Sequence, residues 1–208
     1  MEKYLSNAMT FDDYVQLIDK LLAEGKTTGP VQSDAMLGYA KINRQRMSRI
    51  SKTLELEPSV REVIAASERA MIWLVITEGW CGDAAQNIPA IEKIAAANDR
   101  IETRYILRDD HLELMDQFLT RGARSIPKLI ALDADTFQVL GSWGPRSADA
   151  QAHFDKLKAD GFEKSQISEL MQRWYNTDRS HSLQAEFSRL VPEWASASGS
   201  DAAAGKAA

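Results

Sequence analysis

Residues 71–89 read MIWLVITEGWCGDAAQNIP, and the two halves of this stretch follow different periods. Met71 to Thr77 are apolar and rich in β-branched side chains, the pattern of a strand buried on both faces. After a turn, GWCGD, the residues Ile88, Ile91 and Ile94 recur on one face at helical spacing and predict a helix. Cys81 therefore stands where a strand ends and a helix begins. Free backbone N–H groups and the helix dipole favour an anion at such a place, and the thiolate is the nucleophilic form of cysteine. Two nearby carboxylates, Glu78 and Asp83, oppose it by charge repulsion.

Downstream of this stretch, residues 101–107 alternate as a second strand, and 111–121 suit a helix through Leu112, Met115 and Leu119. Residues 127–132 read as a third strand, which turns at Asp133-Ala134-Asp135 into a fourth over 136–142. Ser147 then caps a helix carrying Ala150, Phe154 and Leu157. The order β-α-β-α-β-β-α implies a parallel pair joined by a right-handed crossover and a final antiparallel hairpin. The expected fold class is α/β, a four-stranded mixed sheet flanked by helices.

Residues 1–70 read as a helical extension packed on that core. Thr10 and Asp13 have capping-box spacing, and Gly25 ends the helix they open. A second helix runs from Asp34 to about Leu56. Ser59 and Glu62 suggest another capping box, opening a short helix that reaches about Arg69. The core domain spans 71–160. A C-terminal helical segment occupies 161–194, with Ile167, Leu170, Met171 and Trp174 in one apolar stripe and Leu183, Phe187 and Leu190 in another. The small, aperiodic residues 195–208 predict a disordered tail.

Composition narrows the chemistry. The 208 residues are 44% hydrophobic with a net charge of −5, so a generic nucleic-acid binder is not expected. No run of about 20 apolar residues exists, and the start of the chain has no secretory pattern, which together predict a cytoplasmic protein. One cysteine excludes an intrachain disulfide or a cysteine-rich metal centre, and the three histidines are widely spaced. No cofactor is expected.

About 90 residues, 71–160, resemble a thioredoxin fold. The residues carrying the resemblance are the strand MIWLVIT, then Trp80-Cys81-Gly82, Pro89 inside the following helix, and Ser125-Ile126-Pro127. Thioredoxins share the Trp-Cys-Gly turn, the helix proline and an Ile-Pro pair with a cis bond facing the cysteine. The segments WCGDAAQ, LRDDH, RSIPKLI and LGSWGPR make the whole chain similar to a bacterial group of thioredoxin-like proteins with a helical N-terminal extension.

The departures constrain what the resemblance implies. The resolving cysteine of thioredoxins falls at Ala84, and their buried acid falls at Val75. A dithiol cycle needs the second sulfur for intramolecular release, so an ordinary dithiol thioredoxin is excluded. The expected chemistry is monothiol. Cys81 would form a mixed disulfide with a protein or low-molecular-weight thiol, and an external thiol would resolve it. Trp80, Gly82, Asp83, Ile126 and Pro127 would contact the substrate, whose backbone would pair beside Pro127. The alternative is a redox-inert binding module that uses the groove by Ile126-Pro127 or the added helices, and Ala84 and Val75 favour it. A third option is a redox sensor in which Cys81 is capped by a small thiol or pairs two subunits. His111 reads as a helix-start residue that could also exchange protons. The basic run Lys41, Arg44, Arg46, Arg49 and Lys52 reads as a solvated helix face. The oligomeric state is not encoded in any pattern here.

Overall fold

An apolar strand needs cover on both faces, and Met71–Thr77 receives it: every residue but Ile72 is buried. The computed structural model describes residues 1–197. Four helices precede the strand: α1 (Glu2–Leu5), α2 (Phe11–Ala23), α3 (Asp34–Thr53) and α4 (Pro58–Ala65). The strand itself is β1, followed by α5 (Gly82–Ala95), β2 (Ile101–Leu107), α6 (Leu112–Met115), β3 (Lys128–Asp133) and β4 (Val139–Trp143). The helices α7 (Ala148–Ala159), α8 (Lys164–Asp178) and α9 (His181–Ser196) complete the described chain.

The sheet order is β2-β1-β3-β4. β1 and β2 are parallel, with Met71 opposite Ile101, and α5 provides the crossover. β1 pairs antiparallel with β3, placing Val75 opposite Leu129, and β3 pairs antiparallel with β4. This is the mixed four-stranded sheet flanked by helices that the sequence predicts.

Two aromatic clusters fasten the added helices to the sheet. Trp73 is fully buried and meets Phe187 and Trp194 of α9 edge-on, at 5.3 and 5.9 Å between ring centroids. Tyr14 of α2 stacks on Tyr105 of β2 at 5.6 Å, and its hydroxyl hydrogen-bonds with Thr77. The extension therefore shares one hydrophobic core with the sheet. α7 and α8 instead form a second, smaller cluster around Ala150, Leu157, Ile167 and Met171.

Local signals hold in some places and give way in others. Thr10 and Asp13 form a reciprocal capping box, and Ser147 accepts from the Ala150 amide. The box expected at Ser59 and Glu62 is absent. Glu57 is the N-cap and Pro58 opens α4, where a residue lacking N–H leaves no orphan donor. α3 stops at Thr53, before Leu56, α4 stops at Ala65, before Arg69, and the helix expected over 111–121 is only Leu112–Met115. β4 starts at Val139 because the Asp133 carboxylate captures the amides of Asp135 and Thr136 at 3.2 and 2.8 Å. Those bonds, the Thr136 amide foremost, pull the Asp133 carboxyl down to about 2. α9 continues to Ser196, so the expected tail begins later than 195, and residues 198–208 lie outside the described residues.

Gly141 in β4 lies directly beneath the Trp194 indole, which occupies the space a Cβ would need. Gly141→Ala should therefore destabilise the fold by about 1–3 kcal/mol through overpacking. A lower midpoint in urea unfolding with an unchanged slope is the expected readout, and an unchanged midpoint would contradict this packing.

Candidate functional site

The turn from β1 into α5 is held from three sides, and each hold takes up a polar group that would otherwise be orphaned. The Gly79 amide donates to Thr28 Oγ1 at 2.9 Å, and its carbonyl accepts from Asn43 Nδ2 at 3.3 Å. Gly29, at φ +80°, approaches the Trp80 indole so closely that a Cβ there would lie 3.2 Å from Nε1 and 2.7 Å from Asp109 Oδ2. The Arg108 guanidinium covers the Trp80 ring at 4.8 Å. The N-terminal extension and the loop after β2 thus fix Trp80 half-buried.

Cys81 is the N-cap of α5. Its Sγ accepts from the Ala84 amide at 3.4 Å and donates to the Ile126 carbonyl at 3.2 Å. That second contact places the expected Ile126-Pro127 pair against the cysteine, and its peptide bond is cis. The side chain is 8% exposed. Burial, and next the charge of Asp83, push the thiol up to about 12, against the pull of the Ala84 and Asp83 amides and of Arg146. The contest left open by the sequence goes to desolvation: Cys81 is a neutral thiol at physiological pH. Val75 and Ala84 are both buried and apolar, so neither supplies a proton acceptor or a second sulfur.

The two carboxylates near the cysteine behave differently. Asp83 contributes to the thiol's shift and is itself enclosed. Arg146 contacts it at 2.6 Å, and the Tyr175 hydroxyl donates to Oδ1 at 2.8 Å. Burial pushes the Asp83 carboxyl up, while Arg146 and Tyr175 pull it back. Glu78 points away from the sulfur, accepting from the Asp109 amide at 3.0 Å, and its Oε2 has no hydrogen-bond partner. Burial raises its carboxyl pKa too.

The other polar candidates separate. Nδ1 of His111 lies 3.0 Å from the Leu107 carbonyl and the residue forms the N-cap of α6, with its ring edge-on to Tyr4. In the basic run, Arg44 pairs with Asp19 at 2.7 Å and Arg49 reaches Asn176 of α8 at 3.0 Å. Arg46 departs from the solvated face, turning inward toward Gly82 at the start of α5. Among the described residues no cluster of three or more His, Cys, Asp or Glu could hold a metal ion, and no helix is long and apolar enough to cross a membrane.

Sequence reasoning missed Arg146, Tyr175 and Lys128. Lys128 is buried after Pro127, donates to Thr120 Oγ1 at 2.6 Å and to the Gly144 carbonyl at 3.0 Å, and is pulled down to about 8 by burial. The Gly144-Pro145 bond beside it is also cis. Arg146 closes the LGSWGPR segment and Lys128 lies within RSIPKLI, so family resemblance was their only signal; Tyr175 had only its place beside Trp174.

Comparison with known proteins agrees with this fold. The chain resembles a crystal structure of a protein of unknown function from Pseudomonas aeruginosa, with a TM-score of 0.53 and 17% identity over 92% of each chain. It also resembles a crystal structure of an HIV epitope-scaffold, with a TM-score of 0.50 and 20% identity, covering 88% of this chain and 98% of that one. At these identities both matches establish the fold alone. No curated protein matches the chain. A family profile described as thioredoxin matches residues 29–158, more than half the sequence and including the turn, the cysteine and the Ile-Pro pair. The chain therefore belongs to the thioredoxin family.

Proposed function

We propose that this protein is a thioredoxin-fold binding module whose cysteine serves structure rather than turnover. The observation that carries the reading is the state of Cys81: a desolvated thiol that donates its proton to the Ile126 carbonyl. That carbonyl belongs to the backbone with which a substrate strand would pair, so the resting thiol already occupies its acceptor. Ala84 and Val75 support the same reading, since neither a resolving sulfur nor a buried acid is present. Binding would use the surface around Trp80, Gly82, Ile126 and Pro127 together with the added helices.

One observation favours a second reading. Cys81 caps α5 directly beside a cis Ile126-Pro127 bond, the placement from which a monothiol would attack a disulfide. Cys81 would then form a mixed disulfide with a protein or small thiol, and an external thiol would release it.

Titrating Cys81 with a thiol reagent across pH decides between the two. Because rate follows thiolate fraction, the binding module predicts reaction at neutral pH about 10³-fold or more slower than a free thiol. Its midpoint should lie near 12. A midpoint below a free thiol's, with fast reaction, would overturn the binding reading in favour of monothiol exchange. The same titration tests the role of Asp83. Asp83→Asn removes the nearest negative charge and leaves Arg146 without its partner, so both changes favour the thiolate. The Cys81 midpoint should fall in this variant, and an unchanged midpoint would show that Asp83 does not act on the sulfur.

A further inference from the structure

A cavity beside the cysteine turn was not visible in any sequence motif. It measures about 590 Å³, within the range of small-molecule sites. One wall is the start of α5 at Gly82 and Asp83, with Arg46 of α3 above it. The opposite wall is the α7–α8 hairpin, which presents Phe154, Phe162, Ile167 and Met171. α8 reaches the core through polar contacts: Gln86 to Gln172 at 2.8 Å, Arg49 to Asn176 at 3.0 Å, and Tyr175 to Asp83. Polar struts hold the hairpin off the core and leave an apolar space between them.

Charge in this space is one-sided. Arg46, Arg146, Lys158 and Lys164 line it, against the single acid Asp83. Arg146 and Asp83 satisfy each other, and Arg146 also stacks on Phe154 at 3.9 Å. Among the described residues, Arg46, Lys158 and Lys164 take part in no ion pair. Arg46 is the inner one, half-buried, with Nη1 donating to Asn43 Oδ1 at 3.0 Å on the side that faces Gly82, while among the described residues no hydrogen bond engages its Nε or Nη2. Burial, and next the neighbouring Arg49, disfavour its charge, which a bound anion would compensate.

We propose that this cavity binds a single-chain amphipathic carboxylate, with its carboxylate on Arg46 and its apolar chain along Phe154, Phe162, Ile167 and Met171. The planar guanidinium fork matches a carboxylate's two oxygens. Lys158 and Lys164 at the mouth attract the anion before it enters. The apolar wall gains by covering Phe162, which is 39% exposed when the cavity is empty. The inference rests on the reading of the protein as a binding module and names a ligand class for it.

Calorimetric titration of the full chain tests this with three probes: decanoate, decanol and inorganic phosphate. Decanoate should bind saturably at one site, with decanol and phosphate each about 10-fold weaker or worse, since only decanoate engages both walls. Arg46→Gln should weaken decanoate about 10-fold and leave decanol unchanged, because it removes a charged hydrogen bond and no apolar wall. Phe162→Ala, at the mouth and outside the core, should weaken decanoate and decanol alike. Equal binding of decanol and decanoate would overturn the proposal, as would phosphate binding as tightly as decanoate. So would a folded Arg46→Gln variant with unchanged affinity, or no decanoate binding at all. Thiol reactivity measured on the same sample separates the two ideas. A slow thiol without decanoate binding defeats only the cavity, whereas a fast thiol with decanoate bound defeats only the binding-module reading.

Discussion

Asp83, half-buried between Arg146 and Tyr175, makes the interaction on which the rest of the site depends. It ties the first turn of α5 to the loop after β4 and to α8, elements far apart in sequence. A carboxylate partly withdrawn from water gains from being paired, and an unpaired one would be left without compensation for the solvent it has lost. Here the pairing has two further effects. It keeps a negative charge two residues from Cys81, and it anchors α8 at the distance from the core that leaves a cavity between them.

The neutral thiol follows from a comparison of magnitudes. A helix start offers a charge about 2 kcal/mol at most, and only where the geometry is favourable. Full desolvation of an ionisable side chain shifts its pKa by up to about 3–5 units, each unit being 1.36 kcal/mol. Cys81 sits at the helix start but is enclosed by the Ile126 loop and faces Asp83, so desolvation prevails. Position at a helix N-terminus is therefore weak evidence for a reactive thiol unless solvent or a cation accompanies it. Arg146, the nearest cation, is already committed to Asp83.

What the sequence revealed and what it hid follow from the range of the interactions involved. The strand Met71–Thr77, the helix with Pro89, the Thr10 cap and the Ser147 cap are each specified within a few residues, so periodicity and capping chemistry expose them. The Ile126-Pro127 pair was legible only through family resemblance, because its partner Cys81 is remote in sequence. Tyr175 and Arg146 were illegible for the same reason: nothing near either residue announces a carboxylate to bind. Arg46 was misread because Lys41, Arg49 and Lys52 do fit an exposed helix face, and a run of like charge conceals the member that turns inward. Ser59 and Glu62 failed differently. Their spacing suits a capping box, but α4 opens at Pro58, so Ser59 lies inside the first turn rather than at the N-cap.

The extension explains why a thioredoxin fold can lose its second sulfur and its buried acid yet keep the shape of its cysteine turn. Here Thr28 and Asn43 take both backbone groups of Gly79, Gly29 closes on Trp80, and Ile18 packs where a Gly79 side chain would project. Each contact comes from the first 43 residues. A turn held this way is rigid. Rigidity is what a binding surface needs, because a site already in its bound shape gives up less entropy when its ligand arrives. The N-terminal helices thus do for the turn what α8 does for Asp83: they fix the chemistry-bearing residues in place, and leave the space between Arg46 and the α7–α8 hairpin as the part of the molecule still open to a ligand.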